Sequence, residues 1–240
     1  MTMKPPKLVV PHLVLLVLLI GVRASAQSTV MSVPSSGVVS AKDVYLEMDF
    51  ITNYAWRRSD NSFQNYLPRA VVGVGHDVEV GVNVSYTRVP RGTRPMELQP
   101  NAKWQFYRNE SRGIASAVGC IWFVPITHRT GTRTLGQCYS VMSKQFKGTY
   151  GPRFTGGAYT LLNSTSDDGT RTGAIVAYEQ PLSKQTGFIV DWFSGYSRFG
   201  FVSPSFYVTT PRNGSLSAGY AIANQGSGNN AFFAFYGMTF

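Results

Sequence analysis

The chain is 240 residues long, 43% hydrophobic and 13% aromatic but only 14% charged, with a net charge of +10. Abundant Gly, Tyr, Phe, Val, Ser and Thr at this length fit one large all-β unit. No nucleic-acid motif accompanies the basic balance. The apolar runs after residue 27 are short and broken by Gly, Ser, Thr, Asn or charge, which excludes a helical inner-membrane protein.

The N-terminus reads MTMKPPKLVVPHLVLLVLLIGVRASAQ. Lys4 and Lys7 give a basic start, residues 8–20 are apolar apart from His12, and Ala24-Ser25-Ala26 is a small-x-small cleavage pattern. This is a secretory signal peptide over 1–26. The apolar stretch is shorter than the ~20 residues that span a bilayer, and Pro11 interrupts it, so it does not read as an anchor. Without Lys4, Lys7 and Arg23 the mature chain keeps 19 basic residues against 12 acidic ones, a net charge of +7. Export argues further against nucleic acid as a partner. Residues 27–42, QSTVMSVPSSGVVSAK, are small and polar without a sustained period, and they read as a flexible periplasmic leader.

From residue 43 onward, extended segments repeat to the end. VYLEMDF at 44–50 sets Val44, Leu46, Met48 and Phe50 against Tyr45, Glu47 and Asp49. DVEVGVNVSYT at 77–87 alternates strictly, with Val78, Val80, Val82, Val84 and Tyr86 on one face and Glu79, Gly81, Asn83, Ser85 and Thr87 on the other. ELQPNAKWQF at 97–106 repeats the pattern, weakened where Pro100 falls on the apolar side. Period-two alternation is the mark of a strand with one apolar face. Twelve strands are expected, near 43–55, 67–75, 77–88, 96–108, 112–126, 134–146, 150–162, 171–180, 185–195, 199–210, 214–224 and 230–240. The joins alternate between short turns and longer loops, except that 196–198 and 225–229 are short where long ones are due.

AFFAFYGMTF ends the chain, with Phe232, Tyr236, Met238 and Phe240 on one face. An apolar edge strand of a soluble sandwich would invite aggregation. A strand that closes a barrel with this face in lipid has no such liability, and lipid leaves no other outlet for free backbone groups. The expected fold is therefore an all-β antiparallel transmembrane barrel of about twelve strands over 43–240. An even strand number puts both termini on the periplasmic side of an outer membrane. The terminal segment resembles the C-terminal signature of bacterial outer-membrane barrels, a final Phe preceded by alternating apolar residues. That resemblance implies that the barrel assembly machinery reads Phe232, Tyr236, Met238 and Phe240.

Four stretches carry a narrower likeness: AVVGVGHDVEVGVNVSYTRV at 70–89, ELQPNAKW at 97–104, VAYEQPLSKQTGFIVDWFSG at 176–195 and GYAIANQGSGNNAFFAFYGMTF at 219–240. Together they resemble the outer-membrane transporter family associated with the meta-pathway of phenol degradation, over most of 69–240. The resemblance implies a barrel that admits small aromatic or apolar molecules. It brings no catalytic residues.

Catalytic chemistry finds no foothold. Gly73-Val74-Gly75 lacks the third glycine of a dinucleotide site and runs into a strand. GTRTLGQC at 131–138 has Gln137 where a phosphate-binding loop needs Lys. The mature chain has only His76 and His128, expected at opposite ends, so neither a Ser–His pair nor a metal cluster forms. No enzyme activity, cofactor or metal is expected. Lumen-facing charge is the informative feature, because charge cannot face lipid cheaply. Glu47, Asp49, Arg69, Glu79, Glu97, Lys103, Arg153, Glu179 and Asp191 are the lumen-lining candidates. They either tune a pore or pair across the lumen as a structural network, and the interior is either a narrow polar channel or plugged.

Arginines of the longer joins, among them Arg57, Arg88, Arg133 and Arg198, suit clamping of lipopolysaccharide or attraction of anionic solutes. Cys120 and Cys138 lie symmetrically about Arg129, so a hairpin centred there sets them opposite. They form either a disulfide or two small wall residues. The expected function is an outer-membrane channel or transporter-like barrel for a small molecule. The alternative is a structural or surface-binding barrel without conduction.

Overall fold

The computed structural model describes residues 29–53, 62–89, 92, 94–127, 132–226 and 229–240. Residues 1–26, expected to be a signal peptide, and Arg57, Arg129 and His128 lie outside the described residues.

Twelve antiparallel strands form one closed barrel. They are β1 (Val44–Asn53), β2 (Phe63–Gly75), β3 (Val78–Arg88), β4 (Met96–Asn109), β5 (Ile114–Pro125), β6 (Leu135–Gln145), β7 (Arg153–Leu162), β8 (Thr172–Pro181), β9 (Thr186–Phe193), β10 (Phe201–Thr210), β11 (Gly214–Ala223) and β12 (Ala231–Thr239). Each pairs with its sequence neighbours, and β1 pairs with β12 to close the ring. The last residue takes part in the closure: Phe240 donates its N–H to Val44 O at 2.8 Å, and Val44 donates back to Phe240 O at 3.0 Å. A 3₁₀ turn, Ser166–Asp168, lies in the join between β7 and β8. No helix among the described residues is long and apolar enough to cross a membrane.

The strand alternation sorts side chains as the sequence dictates. On β3, Val80 and Val82 point outward, 38% and 40% exposed, while Glu79 and Asn83 point inward, 1% and 4% exposed. The outer surface carries two aromatic rows. Toward the end of the long joins, Phe50, Tyr66 and Tyr86 are successive cross-strand partners, with ring centroids 5.3 and 6.4 Å apart. Tyr220 and Phe232 continue that row at 4.6 Å. Toward the end of the short turns, Phe154 pairs with Tyr178 at 4.8 Å and Phe188 with Phe206 at 5.0 Å. Between the rows lie Val80, Val82, Met142 and Val176, all exposed.

The joins at one end are short, two to four residues, apart from the seven of 146–152. At the other end all six are long. The joins 194–200 and 224–230, expected at three and five residues, are seven each because β9, β10, β11 and β12 stop short of their expected ends. In the 163–171 join, the Thr165 backbone N–H and then Arg133 hold the Asp168 carboxyl below the usual carboxylate value.

The expectation of a flexible leader is corrected for its described part. Residues 29–42 enter the barrel. Thr29 and Pro34 bridge across a tight turn closed by Val30 N–H to Val33 O at 2.8 Å. Val30, Met31 and Val33 are buried at 0–1% exposure and pack with Phe123, Tyr159, Leu161 and Ile175. Ala41 then bridges in parallel to Gly73 before β1 begins. The composition misled because short runs of Val and Met among serines have no period of their own. They are apolar enough to be buried only where a lumen surrounds them.

Candidate functional site: the barrel lumen

Eight of the nine lumen candidates are side chains of an ion-pair network. Arg69 lies between two carboxylates of β1, 3.5 Å from Glu47 and 2.7 Å from Asp49. The register sets Glu47 opposite Arg69, so alternation alone brings these groups to one face. Lys103 meets its cross-strand partner Glu79 at 3.0 Å. Arg153 meets its partner Glu179. These three groups have the form of structural pairs: a buried charge survives only when paired and hydrogen-bonded. Glu97 pairs with Arg198, described below.

The ninth, Asp191, is met by the leader instead of a cation. Its Oδ2 accepts from the backbone N–H groups of Ser32 at 2.6 Å and Val33 at 3.0 Å. Glu79 likewise accepts from Val39 N–H at 2.7 Å. Gln105 donates to Ser36 O at 2.6 Å, and Ser36 shares a hydroxyl bond with Ser143. The bonds to Asp191 and Glu79 are charge-assisted, about twice as strong as neutral ones, and they fasten the leader to both walls of the lumen. Of the two interiors left open by the sequence, the described residues form a partly plugged one.

The leader does not fill everything. Beside it, against β1–β4, lies a cavity of about 600 Å³. It runs from Tyr45 and Val71 near the short turns to Phe63, Thr87 and Pro95 near the long joins. At the short-turn end, Tyr45 and Val71 of the lining cluster with Val39 of the leader. One wall is a ladder of amides: Asn101 donates to Asn83, Asn83 to Gln99 and Gln99 to Glu97, at 3.4, 3.3 and 3.3 Å. The facing wall is apolar, with Phe199, Phe201, Phe233 and Phe235. Small-molecule sites of 300–1,000 Å³ share this mix of apolar lining and a few placed polar groups.

The 194–200 join turns inward over the upper end. Asn224 donates to Phe193 O and Gly195 O at 2.9 and 2.8 Å, and Tyr196 and Thr170 exchange two bonds. This holds Phe199 against Phe123, ring centroids 5.1 Å apart. Arg198 lies over both rings, 4.9 and 5.4 Å from their centroids, and forks onto the two Glu97 oxygens at 2.8 Å each. Glu97 is on β4, six strands round the wall from β10, so this pair spans the mouth. Arg198 was expected at the outer rim; the longer join brings it inside.

Cys120 and Cys138 are cross-strand partners on the outward face and form a disulfide, Cα atoms 4.1 Å apart. Of the terminal-strand residues, Phe232 and Tyr236 face outward at 59% and 41% exposure, and Met238 on the same face is covered by its neighbours. Among the described residues no group of three or more His, Cys, Asp or Glu is arranged to hold a metal. His76 occupies the β2–β3 turn at φ 52°.

The inward turn of Arg198, the role of Phe199 and the leader contacts of Ser32, Val33 and Val39 escaped the sequence reading. Paired glycines flanking YSRF, Gly195 and Gly200, are the one signal of a folded-back join there. A Cβ on Gly200 would lie 2.2 Å from Gly195 O. No protein-family model matches the chain, and no curated protein matches it.

Proposed function

We propose that the chain is an outer-membrane barrel of a Gram-negative-type envelope that passes a small molecule through its lumen. One observation carries the reading: a closed backbone ladder, with two outward aromatic rows bracketing an apolar band, surrounds a cavity of about 600 Å³. Aromatic girdles and an apolar belt are what a bilayer selects, and a closed ladder is what it requires. On this reading the signal peptide is removed and both termini are periplasmic. The short turns face the periplasm. The long joins face outward, where their arginines meet lipopolysaccharide. The terminal strand is presented to the assembly machinery. The phenylalanines of the cavity support a small aromatic or apolar solute, in keeping with the resemblance to the phenol meta-pathway transporter family. On this reading the barrel works by passage alone, without catalysis or a cofactor.

A second reading is a structural or surface-binding barrel without conduction. The leader fastened to Asp191 and Glu79 favours it. Proteoliposomes holding the refolded barrel separate the two. Uptake of a radiolabelled aromatic solute faster than into protein-free vesicles is expected. Uptake at the protein-free rate, for wild type and for a variant lacking 29–41 alike, would leave the structural reading.

A further inference from the structure

We infer that Arg198 is the recognition point for an organic anion, so that the solute of the cavity is a small carboxylate with an apolar body. This rests on reading the cavity as a solute site. The lining holds two guanidinium groups, and they differ in how they are held. Arg69 sits between Glu47 and Asp49 with its side chain 17% exposed, already carrying more negative charge than its own. A further anion gains nothing there. Arg198 has one carboxylate, a side chain 48% exposed and a position at the mouth.

An incoming carboxylate can replace Glu97 in the same bidentate geometry, which the planar guanidinium fork favours over a point charge. Glu97 does not become stranded. It keeps the amide of Gln99 at 3.3 Å, and its side chain is 19% exposed. The rings of Phe123 and Phe199, already stacked on the guanidinium, would then flank the apolar body of the solute as it enters. Charge outside the mouth acts in the same direction. Arg88, Arg94 and Arg171 are exposed at the long-join end, where exposed Asp167 offsets one of them and Asp168 is paired with Arg133. The resulting field raises the local concentration of anions and lowers that of cations. A cation would instead have to take Glu97 from Arg198 against that field.

The test uses three probes with one body: 3-phenylpropionate, 3-phenylpropanol and 3-phenylpropylamine. Their binding to the full mature barrel in detergent is measured by calorimetry. Folding of each variant is checked by heat-modifiable gel mobility. The acid should bind tightest. Glu97→Gln frees the guanidinium and should strengthen the acid roughly tenfold while leaving the alcohol unchanged. Arg198→Lys keeps the charge but loses the fork, and should weaken the acid alone. A tighter amine, or an acid indifferent to both substitutions, overturns the inference while the cavity remains a solute site. Binding of none of the three probes would overturn that underlying reading, and this inference with it.

Discussion

Val82 and Asn83 are adjacent in sequence, yet one is 40% exposed on the outer wall and the other 4% exposed in the lumen. That difference makes a sharp test of the membrane. Val82→Arg should block assembly, because an Arg on the lipid face near mid-membrane costs ~2–4 kcal/mol. Asn83→Arg should assemble far better, since its side chain reaches into the cavity that Asn83 lines. Heat-modifiable gel mobility measures both; equal loss would mean the band does not face lipid. The disulfide gives a second residue-scale test. Cys120 and Cys138 are 18 positions apart, and closing a loop of about that length is worth ~3 kcal/mol through the unfolded chain. Replacing both by Ala should lower the urea midpoint of the refolded barrel without changing its mobility. Inward charge at Glu47, Arg69 and Lys103 was legible because period two is written in the residues themselves. The partners were less so, since each pair depends on register between strands. Arg198 to Glu97 was beyond reach, because it crosses the barrel between residues 101 positions apart.

Among elements, the leader departs furthest from its sequence. No periodicity marks 27–42, and nothing local distinguishes a plug from a tether. What decides it lies elsewhere in the chain: the buried carboxylates of Asp191 and Glu79 accept hydrogen bonds, and the leader supplies the N–H groups. Strands were legible by contrast, because an alternating segment carries its own evidence. The two joins at 194–200 and 224–230 were read short because strand ends have no clear chemical marker. The leader's point of entry is narrow. Gly73 accepts from Lys42 N–H at 2.9 Å, and a Cβ there would lie 2.0 Å from Ser40 O. Such an overlap can be relieved only by moving backbone. Gly73→Ala should therefore loosen the leader while leaving the wall ladder intact. Single-channel conductance in planar bilayers should rise toward that of a barrel lacking 29–41, and proteolysis of the leader should quicken. Unchanged conductance in both variants would mean that the leader does not obstruct the lumen. The deletion is expected to fold, because water entering the lumen can solvate the carboxylates the leader leaves behind.

For the whole molecule, the wall has no free edge only because the first and last strands pair, at the seam between β1 and β12. Phe240 contributes to that seam twice. Its backbone exchanges both hydrogen bonds with Val44, and its ring ends the aromatic pattern read as an assembly signal. The two roles can be separated. Removing Phe240 takes away two ladder bonds, leaving the Val44 groups unpaired at the membrane edge; each net bond is worth ~0.5–1.5 kcal/mol. Folding in detergent should weaken, and assembly in cells should fail. Phe240→Ala keeps both backbone bonds and loses only the ring. If the ring serves recognition, this variant should fold in detergent as the parent does, yet reach the outer membrane in much lower amount. The measurements are folded fraction by gel mobility after refolding and band intensity in outer-membrane fractions. Parallel losses in the two assays would make Phe240 a closure residue with no separate signal. An Ala variant that reaches the membrane at parental levels would remove the recognition role altogether and leave Phe240 with its backbone part in the seam alone.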